Sequence, residues 1–184
     1  MMSGIRLHRF HGGLELESHK AESTEHPILI APIPQWLTFP LLQRDGTHAK
    51  PHVSVGDRVL KGSVLAGGQS WQDPPIHAST SGRIHAIEDR PLPHRNIPSG
   101  SCIVLEADGE DESIAQQRIP YFRDHAPETL LKRIHEAGIT GLGGAGFPAA
   151  VKLSQRRIDT LILNGVECEP HISCDDSLMR ERAS

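Results

Sequence analysis

No run of about 18 apolar residues occurs anywhere in this 184-residue chain, so nothing in it reads as a bilayer-spanning helix. The stretch from Met1 to Phe10 lacks the continuous apolar core of a secretory signal. Cysteine is scarce: Cys102, Cys168 and Cys174 are an odd number without paired spacing, which argues for a reducing compartment rather than a disulfide framework. They also lack Cys-x-x-Cys-x-x-Cys spacing, so these residues cannot hold a four-cysteine iron–sulfur cluster. Cys168-x5-Cys174 with His171 fits no common zinc spacing, and no metal is expected there. Positive charge is not in excess: 19 Lys and Arg stand against 23 Asp and Glu, a net charge of −4, with no basic, aromatic-interleaved patch. Nucleic acid is therefore not expected as a partner. The chain is expected in the cytoplasm, or against a membrane by way of partners.

What is present is an ordinary soluble composition, 37% hydrophobic and 23% charged, in a chain long enough for one large domain or two small ones. Two fit better. Residues 26–40 carry prolines too often for a helix or central strand and read as an extended edge segment. From Val53 to Ala66, apolar residues alternate with Gly-Asp and Lys-Gly turns. A second strand–turn–strand pass runs from Ile76 to Ile87 through Ser81-Gly82. Short strands at short spacing predict a small β sandwich. Asp89–Gly100 reads as a Pro-rich surface loop and Ser101–Glu106 as a closing strand, with Cys102 a small buried hydrophobe. Residues 63–83 contain no lysine, so no amine is available there to carry an acyl cofactor.

Residues 107–119, acidic and glycine-containing, read as a linker. Pro127–Gly138 has apolar residues near the 3, 4 and 7 spacing of one helical face and is stopped by Gly138. Gly141-Leu-Gly-Gly-Ala-Gly-Phe-Pro148 follows, then a short helix over 148–155 and a buried strand over Ile158–Leu163. Four glycines in six residues let a backbone approach a ligand closely, and Pro148 suits a helix start where free N–H groups can meet a phosphate. Asn164, Glu167 and Glu169 stand just past the apolar run, where an α/β sheet places ligand-contacting groups. No strand precedes the glycines, so this is not the ordinary dinucleotide fingerprint.

The Val53–Ala66 and Ile76–Ile87 passes resemble the biotinyl/lipoyl barrel-sandwich fold without its lysine, which implies a docking or scaffold module. The glycine loop, Lys152 and Asn164-Gly-Val-Glu-Cys-Glu-Pro170 resemble the FMN- and NADH-binding core of the flavoprotein of respiratory complex I. Phe10-His-Gly-Gly-Leu14, Glu88-Asp-Arg-Pro-Leu-Pro-His94 and Cys168–Asp176 resemble the RnfC component of the Rnf electron-transport complexes, a likeness that covers essentially the whole chain. It implies an α+β chain: a lipoyl-like barrel with N-terminal extension over 1–106, a linker over 107–119, and an incomplete FMN/NADH-binding α/β domain over 120–184. It further implies a peripheral subunit on the cytoplasmic face of the bacterial inner membrane. Such a protein passes electrons between NAD(H) and ferredoxin beside other subunits of an ion-translocating complex. Family members are much longer, and their two 4Fe–4S clusters belong to sequence beyond this chain.

By this resemblance Gly141, Gly143, Gly144 and Gly146 let the backbone reach the flavin, Phe147 stacks on NADH, and Lys152 offers an ammonium. Asn164 bonds the flavin pyrimidine, and Glu167 and Glu169 face flavin and nicotinamide. Plainer readings stand beside each: a helix–helix turn for the glycines, a core phenylalanine, a solvated lysine, a turn-forming asparagine and an exposed acidic loop. Leu142 stands where the complex I motif has Arg, and Val166 where it has Asp, so one cation and one acceptor are absent. No catalytic residue is assigned. The 184 residues alone are expected not to hold FMN tightly and to be inactive. Rival readings are a catalytically silent docking piece, a cobalamin-reductase-like flavoprotein disfavoured by module order, and the quinone-pocket component of the sodium-pumping NADH:quinone reductase, disfavoured by the glycine loop.

Overall fold

The computed structural model describes residues 11–14, 16–43, 46, 48–93, 96–116, 118–141, 146–154, 159–160, 162 and 164–182. Its elements in chain order are α1 (Lys20–Ser23), β1 (Trp36–Pro40), β2 (Arg58–Val59), β3 (Val64–Ala66), β4 (Ile76–His77), β5 (Gly82–Pro91), β6 (Ser99–Ala107), α2 (Pro127–Glu136), α3 (Ala149–Leu153) and α4 (Cys174–Glu181). They fall into two compact units, Pro32–Ile158 and Met1–Ala31 with Asp159–Ser184.

In the larger unit, β1, β6, β5 and β2 make a four-stranded antiparallel sheet in that order, and β3 pairs with β4 in a two-stranded one. The Pro-rich N-terminal segment supplies β1 at an edge, where a missing N–H does least harm. Between the sheets Leu65, Ile84, Ile103 and Leu105 are fully buried, with Leu41, Val59, Ala66 and Ala78 around them. Each large side chain taken out of water there contributes about 1.5–3 kcal/mol. Strand β6 lies between β1 and β5 and is covered on both faces, so Cys102 through Val104 are buried in succession rather than alternately. Cys102 is the enclosed thiol the sequence suggests, and burial pushes its pKa up.

The turns sit where the Gly-Asp, Lys-Gly and Ser-Gly pairs place them. Gly56 N donates to Ile84 O at 2.7 Å, Gly62 N to Ala78 O at 2.8 Å, and a Cβ on Gly82 would stand 2.1 Å from Glu106 O. The second pass closes against β6 only because that residue has no side chain.

Two boundaries differ from expectation. The Asp89–Gly100 loop is shorter, because β5 and β6 continue as a ladder through Glu88↔Cys102, Asp89↔Ser101, Arg90↔Gly100 and Pro91↔Ser99. Pro91 ends the ladder, where its missing donor costs nothing. The acidic stretch after β6 is bound to the barrel rather than trailing from it. Ser81 Oγ, fully buried, donates to Asp108 Oδ1 at 2.6 Å and accepts from Glu112 N at 2.9 Å, while Thr80 Oγ1 donates to Asp111 Oδ1 at 2.9 Å. Lys61 N donates to Glu112 O at 2.8 Å. Buried hydroxyls need partners, and these carboxylates provide them. The Ser81 hydroxyl holds the Asp108 carboxyl below its ordinary range, and Lys61 with Thr80 does the same for Asp111.

Helix α2 begins at Pro127 and is closed by Gly138 at φ +66°, as its sequence requires. It docks on the tip of the β3–β4 hairpin. A Cβ on Gly138 would lie 2.5 Å from Pro75 O and 3.0 Å from His77 Nδ1, and Trp71 packs on His135 with ring centroids 5.4 Å apart. Burial there depresses the His77 pKa, opposed by hydrogen bonds to the Glu136 and Pro75 backbone.

The smaller unit is built mainly from polar contacts between segments about 150 positions apart. His171 N donates to Ser18 O at 2.9 Å, and Ile28 N donates to the Glu181 carboxylate at 3.0 Å. Of the buried strand expected over Ile158–Leu163, residues 158, 161 and 163 lie outside the described residues; Asp159, Thr160 and Ile162 are in no strand, and Ile162 is 82% exposed. Among the described residues no strand pairs with this run, and apolar sequence without ladder partners has nothing to satisfy a buried backbone.

Candidate functional site

The sequence candidates divide between the two units. In the larger one, the turn joining α2 to α3 is closed by Gly141 N donating to Phe147 O at 2.9 Å and Ala149 N to Ile139 O at 2.9 Å. This places Gly141, Gly146, Phe147 and the start of α3 together. Gly143 and Gly144 lie outside the described residues.

Gly146 has φ +57°, and a Cβ built on it meets no atom within 4 Å; at Gly141 a Cβ would meet only Phe147 backbone at 3.8 Å. Packing among the described residues therefore leaves the space over Gly146 unfilled. The conformation favours glycine, and the open space leaves backbone reachable by a ligand. Pro148 is buried at the N-cap of α3 and Ala150 beneath it is buried too, anchoring the turn. Phe147 is 39% exposed, more than a core phenylalanine would be. Lys152, in the last turn of α3, is exposed. Gly146, Phe147, Pro148 and Val151 line a recess with Gln43, Gln72 and Pro74 of about 100 Å³. Ligand pockets usually enclose roughly 300–1,000 Å³, so the recess is too small to enclose a cofactor by itself.

In the smaller unit, the acids expected beside a ligand have different surroundings. Glu167 has a side chain only 4% exposed, and Lys20 Nζ stands 2.6 Å from its Oε2. Its other oxygen, Oε1, accepts Asp175 N at 2.8 Å, at the start of α4. Lys20 also donates to Ile172 O. The Lys20 ammonium and the α4 amides hold the Glu167 carboxyl below its ordinary range, against the desolvation that alone would raise it. Glu167 is thus an ionised group that joins α1 to α4. Asn164 Oδ1 accepts Val166 N at 2.9 Å, the turn-forming bond of a local Asx motif. Glu169 is exposed, as are the free thiols Cys168 and Cys174.

Sequence reasoning missed Lys20. It stands 147 positions from Glu167, and no spacing rule links a lysine in one segment to a carboxylate in another. The available signal was that a carboxylate expected to be buried requires a cation or several N–H donors.

The surroundings fit a flavin only in part. In the larger unit Gly141, Gly146 and Lys152 leave backbone and an ammonium accessible; in the smaller unit Glu169 is exposed, whereas both Glu167 oxygens are engaged within the protein. No helix among the described residues is long and apolar enough to cross a membrane.

Comparison with known proteins divides the chain along its sequence, at other bounds than the two compact units. Residues 8–110 match the family model described as RnfC barrel sandwich hybrid domain, and residues 134–184 match the Nuo51 FMN-binding domain. The C subunit of the ion-translocating oxidoreductase complex of Pseudomonas aeruginosa is 47% identical over 181 residues, covering 97% of this chain and 23% of that protein. The Vibrio cholerae protein of the same name is 47% identical over 180 residues, and that of Pectobacterium carotovorum 42%, with 97% of this chain covered in each case and 23% and 24% of the relatives. The chain thus spans about a quarter of the length of these relatives. A barrel-sandwich hybrid domain followed by FMN-binding-domain sequence, in one continuous match, places this chain in the RnfC family.

Proposed function

We propose that this chain is the N-terminal part of a peripheral subunit of a membrane-bound, ion-translocating electron-transport complex, and that it contributes one wall of that protein's FMN and NAD(H) site. The observation that carries the reading is Gly146: a positive-φ glycine with no described atom over it, next to an exposed Phe147 and six positions before Lys152. In this reading the 1–106 barrel is the docking module, 107–119 the bridge to the second part, and 120–184 the beginning of the flavin domain. The names of the matched relatives and of the two family models support it. NAD(H), ferredoxin, the cytoplasmic face of the inner membrane and 4Fe–4S clusters held elsewhere in the full-length protein belong to the same proposal.

Bound flavin would supply the exchange between two-electron and one-electron carriers. This chain's own residues do simpler things. Gly141 and Gly146 keep side chains out of the approach, leaving backbone to face the cofactor. Phe147 offers an aromatic face to a planar ring. Lys152 places a positive charge where a phosphate or a reduced ring gains from it. Glu169 offers an acceptor for ribose or amide donors. Glu167, ionised and bonded to Lys20, fixes the loop that carries Glu169 rather than meeting the ligand.

A second reading, a catalytically silent docking piece, rests on the barrel: its hairpin bears no lysine and its tip is occupied by α2 through Trp71 and His135. One experiment separates the two. The 184 residues are exchanged for the matching quarter of the P. aeruginosa protein, and NADH turnover with an artificial acceptor is compared with that of the isolated chain. The flavin-wall reading expects turnover in the chimera, none in the isolated chain, and loss of most chimera activity on Lys152→Ala. A chimera indifferent to Lys152→Ala supports the docking reading.

A further inference from the structure

We propose that His19, Glu22 and His171 form a divalent-cation site of the zinc class that staples the N-terminal segment to the loop before α4. One ligand atom from each lies within 4.8 Å of the others. His19 Nδ1 donates to Glu22 Oε1 at 2.8 Å, and His171 Nδ1 stands 3.9 Å from Glu22 Oε2, so a single carboxylate faces two imidazoles. The two rings stack at 4.7 Å between centroids, 10° from parallel.

Two imidazole nitrogens and a carboxylate oxygen are a zinc donor set that leaves a fourth position for water. Tetrahedral bonds of about 2.0–2.1 Å put ligand atoms roughly 3.3 Å apart, so the trio closes on a cation when its atoms approach by up to about 1.5 Å and one imidazole turns out of the stack to aim its in-plane lone pair at the ion. The side chains are 35%, 67% and 57% exposed, which leaves room for that movement and a path for the ion. The backbone beneath them is already held. His171 N bonds Ser18 O at 2.9 Å, and Lys20 reaches both Ile172 O and Glu167. His19 Nε2, on the far side of its ring, stands 3.6 Å from Glu17 Oε2. A carboxylate there orients a metal-bound imidazole and makes it a stronger ligand.

The cluster is independent of the flavin proposal, since neither His19, Glu22 nor His171 is a candidate for that site. By spacing His171 belonged with Cys168 and Cys174, where no metal was expected; the fold gives it His19 and Glu22 instead.

The full chain is tested in a Cys168→Ser/Cys174→Ser background, which removes the exposed thiols as rival ligands. Zn²⁺ is titrated against a chromogenic chelator, and Co²⁺ is used for its visible absorption. The expected result is one ion per chain, a low-coordinate Co²⁺ spectrum, and affinity lowered at least about tenfold by His171→Gln or Glu22→Gln. Long-range ¹H–¹⁵N NMR of the unsubstituted chain supplies a readout that needs no variant: Zn²⁺ should shift the imidazole signals of His19 and His171 ahead of the other histidines. No stoichiometric binding, binding unchanged by His171→Gln, or Zn²⁺ shifts confined to other histidines would overturn the proposal.

Discussion

The barrel and the terminal unit are held together by opposite means. In the barrel, Leu65, Ile84, Ile103 and Leu105 are sealed from water between two sheets, and hydroxyl–carboxylate bonds cover the one polar corner at Thr80 and Ser81. In the terminal unit none of the four helical residues of α1 nor the eight of α4 is buried, and the joints are Lys20–Glu167, Glu181–Ile28 and His171–Ser18. The first design resists single polar changes and is intolerant of changes in shape. The second inverts that sensitivity: one charge matters there and most apolar positions do not.

The largest expected effect is on the barrel. Gly82→Val drives a side chain into Glu106 O and should cost about 3 kcal/mol or more, with Leu65→Ala costing about 2–5 kcal/mol; denaturant unfolding of the full chain measures both. Next comes Lys20→Met, which leaves the enclosed Glu167 carboxylate without its cation. Hydrogen exchange and proteolysis should accelerate at residues 164–182 while β5 and β6 keep their protection. If the barrel loosens equally, the division between the two regions is wrong.

A pH titration sharpens the same contrast. The folded Glu167 pKa lies below its unfolded value, so its contribution is complete above the ordinary carboxylate range and is lost as pH falls through the depressed value. Acid should therefore release the terminal helices, and Lys20→Met should remove most of that dependence. His77 is depressed as well, by burial, so the α2–barrel contact is also complete at higher pH and weakens as pH falls through the folded His77 value. Site-resolved NMR tells the two apart, since His77→Phe should flatten only the second. The smallest effect belongs to Lys61→Gln: its bridge to Asp111 is exposed, and Thr80 still bonds the carboxylate, so the unfolding midpoint should barely move.

Legibility followed the same division. The Val53–Ala66 and Ile76–Ile87 passes were readable because glycine turns and alternating apolar residues act over a few positions, and the register follows once both are known. Proline at the start of α2 and glycine at its end were equally local. The Asp89–Gly100 loop was drawn too long because a strand with proline at its very end still pairs up to that residue. Ile158–Leu163 was read as a strand on composition; its described residues, Asp159, Thr160 and Ile162, have no ladder partner, and pairing is what composition cannot report. At the candidate site, Gly146 takes a positive φ, the conformation that glycine makes accessible. The partnering of Glu167 was hidden because Lys20 is distant in sequence, and His171 was matched with near cysteines for the same reason.

The account depends most on the backbone at Gly146 facing a flavin, and the flavin content of the chimera with and without Gly146→Val measures it directly. A Cβ there meets no atom of the described residues within 4 Å, so the change should leave the barrel's unfolding intact apart from a local backbone penalty of about 1–2 kcal/mol. The account predicts stoichiometric FMN in the parent chimera and FMN affinity lowered by at least about tenfold in the variant. A variant that retains FMN as tightly as its parent would contradict it.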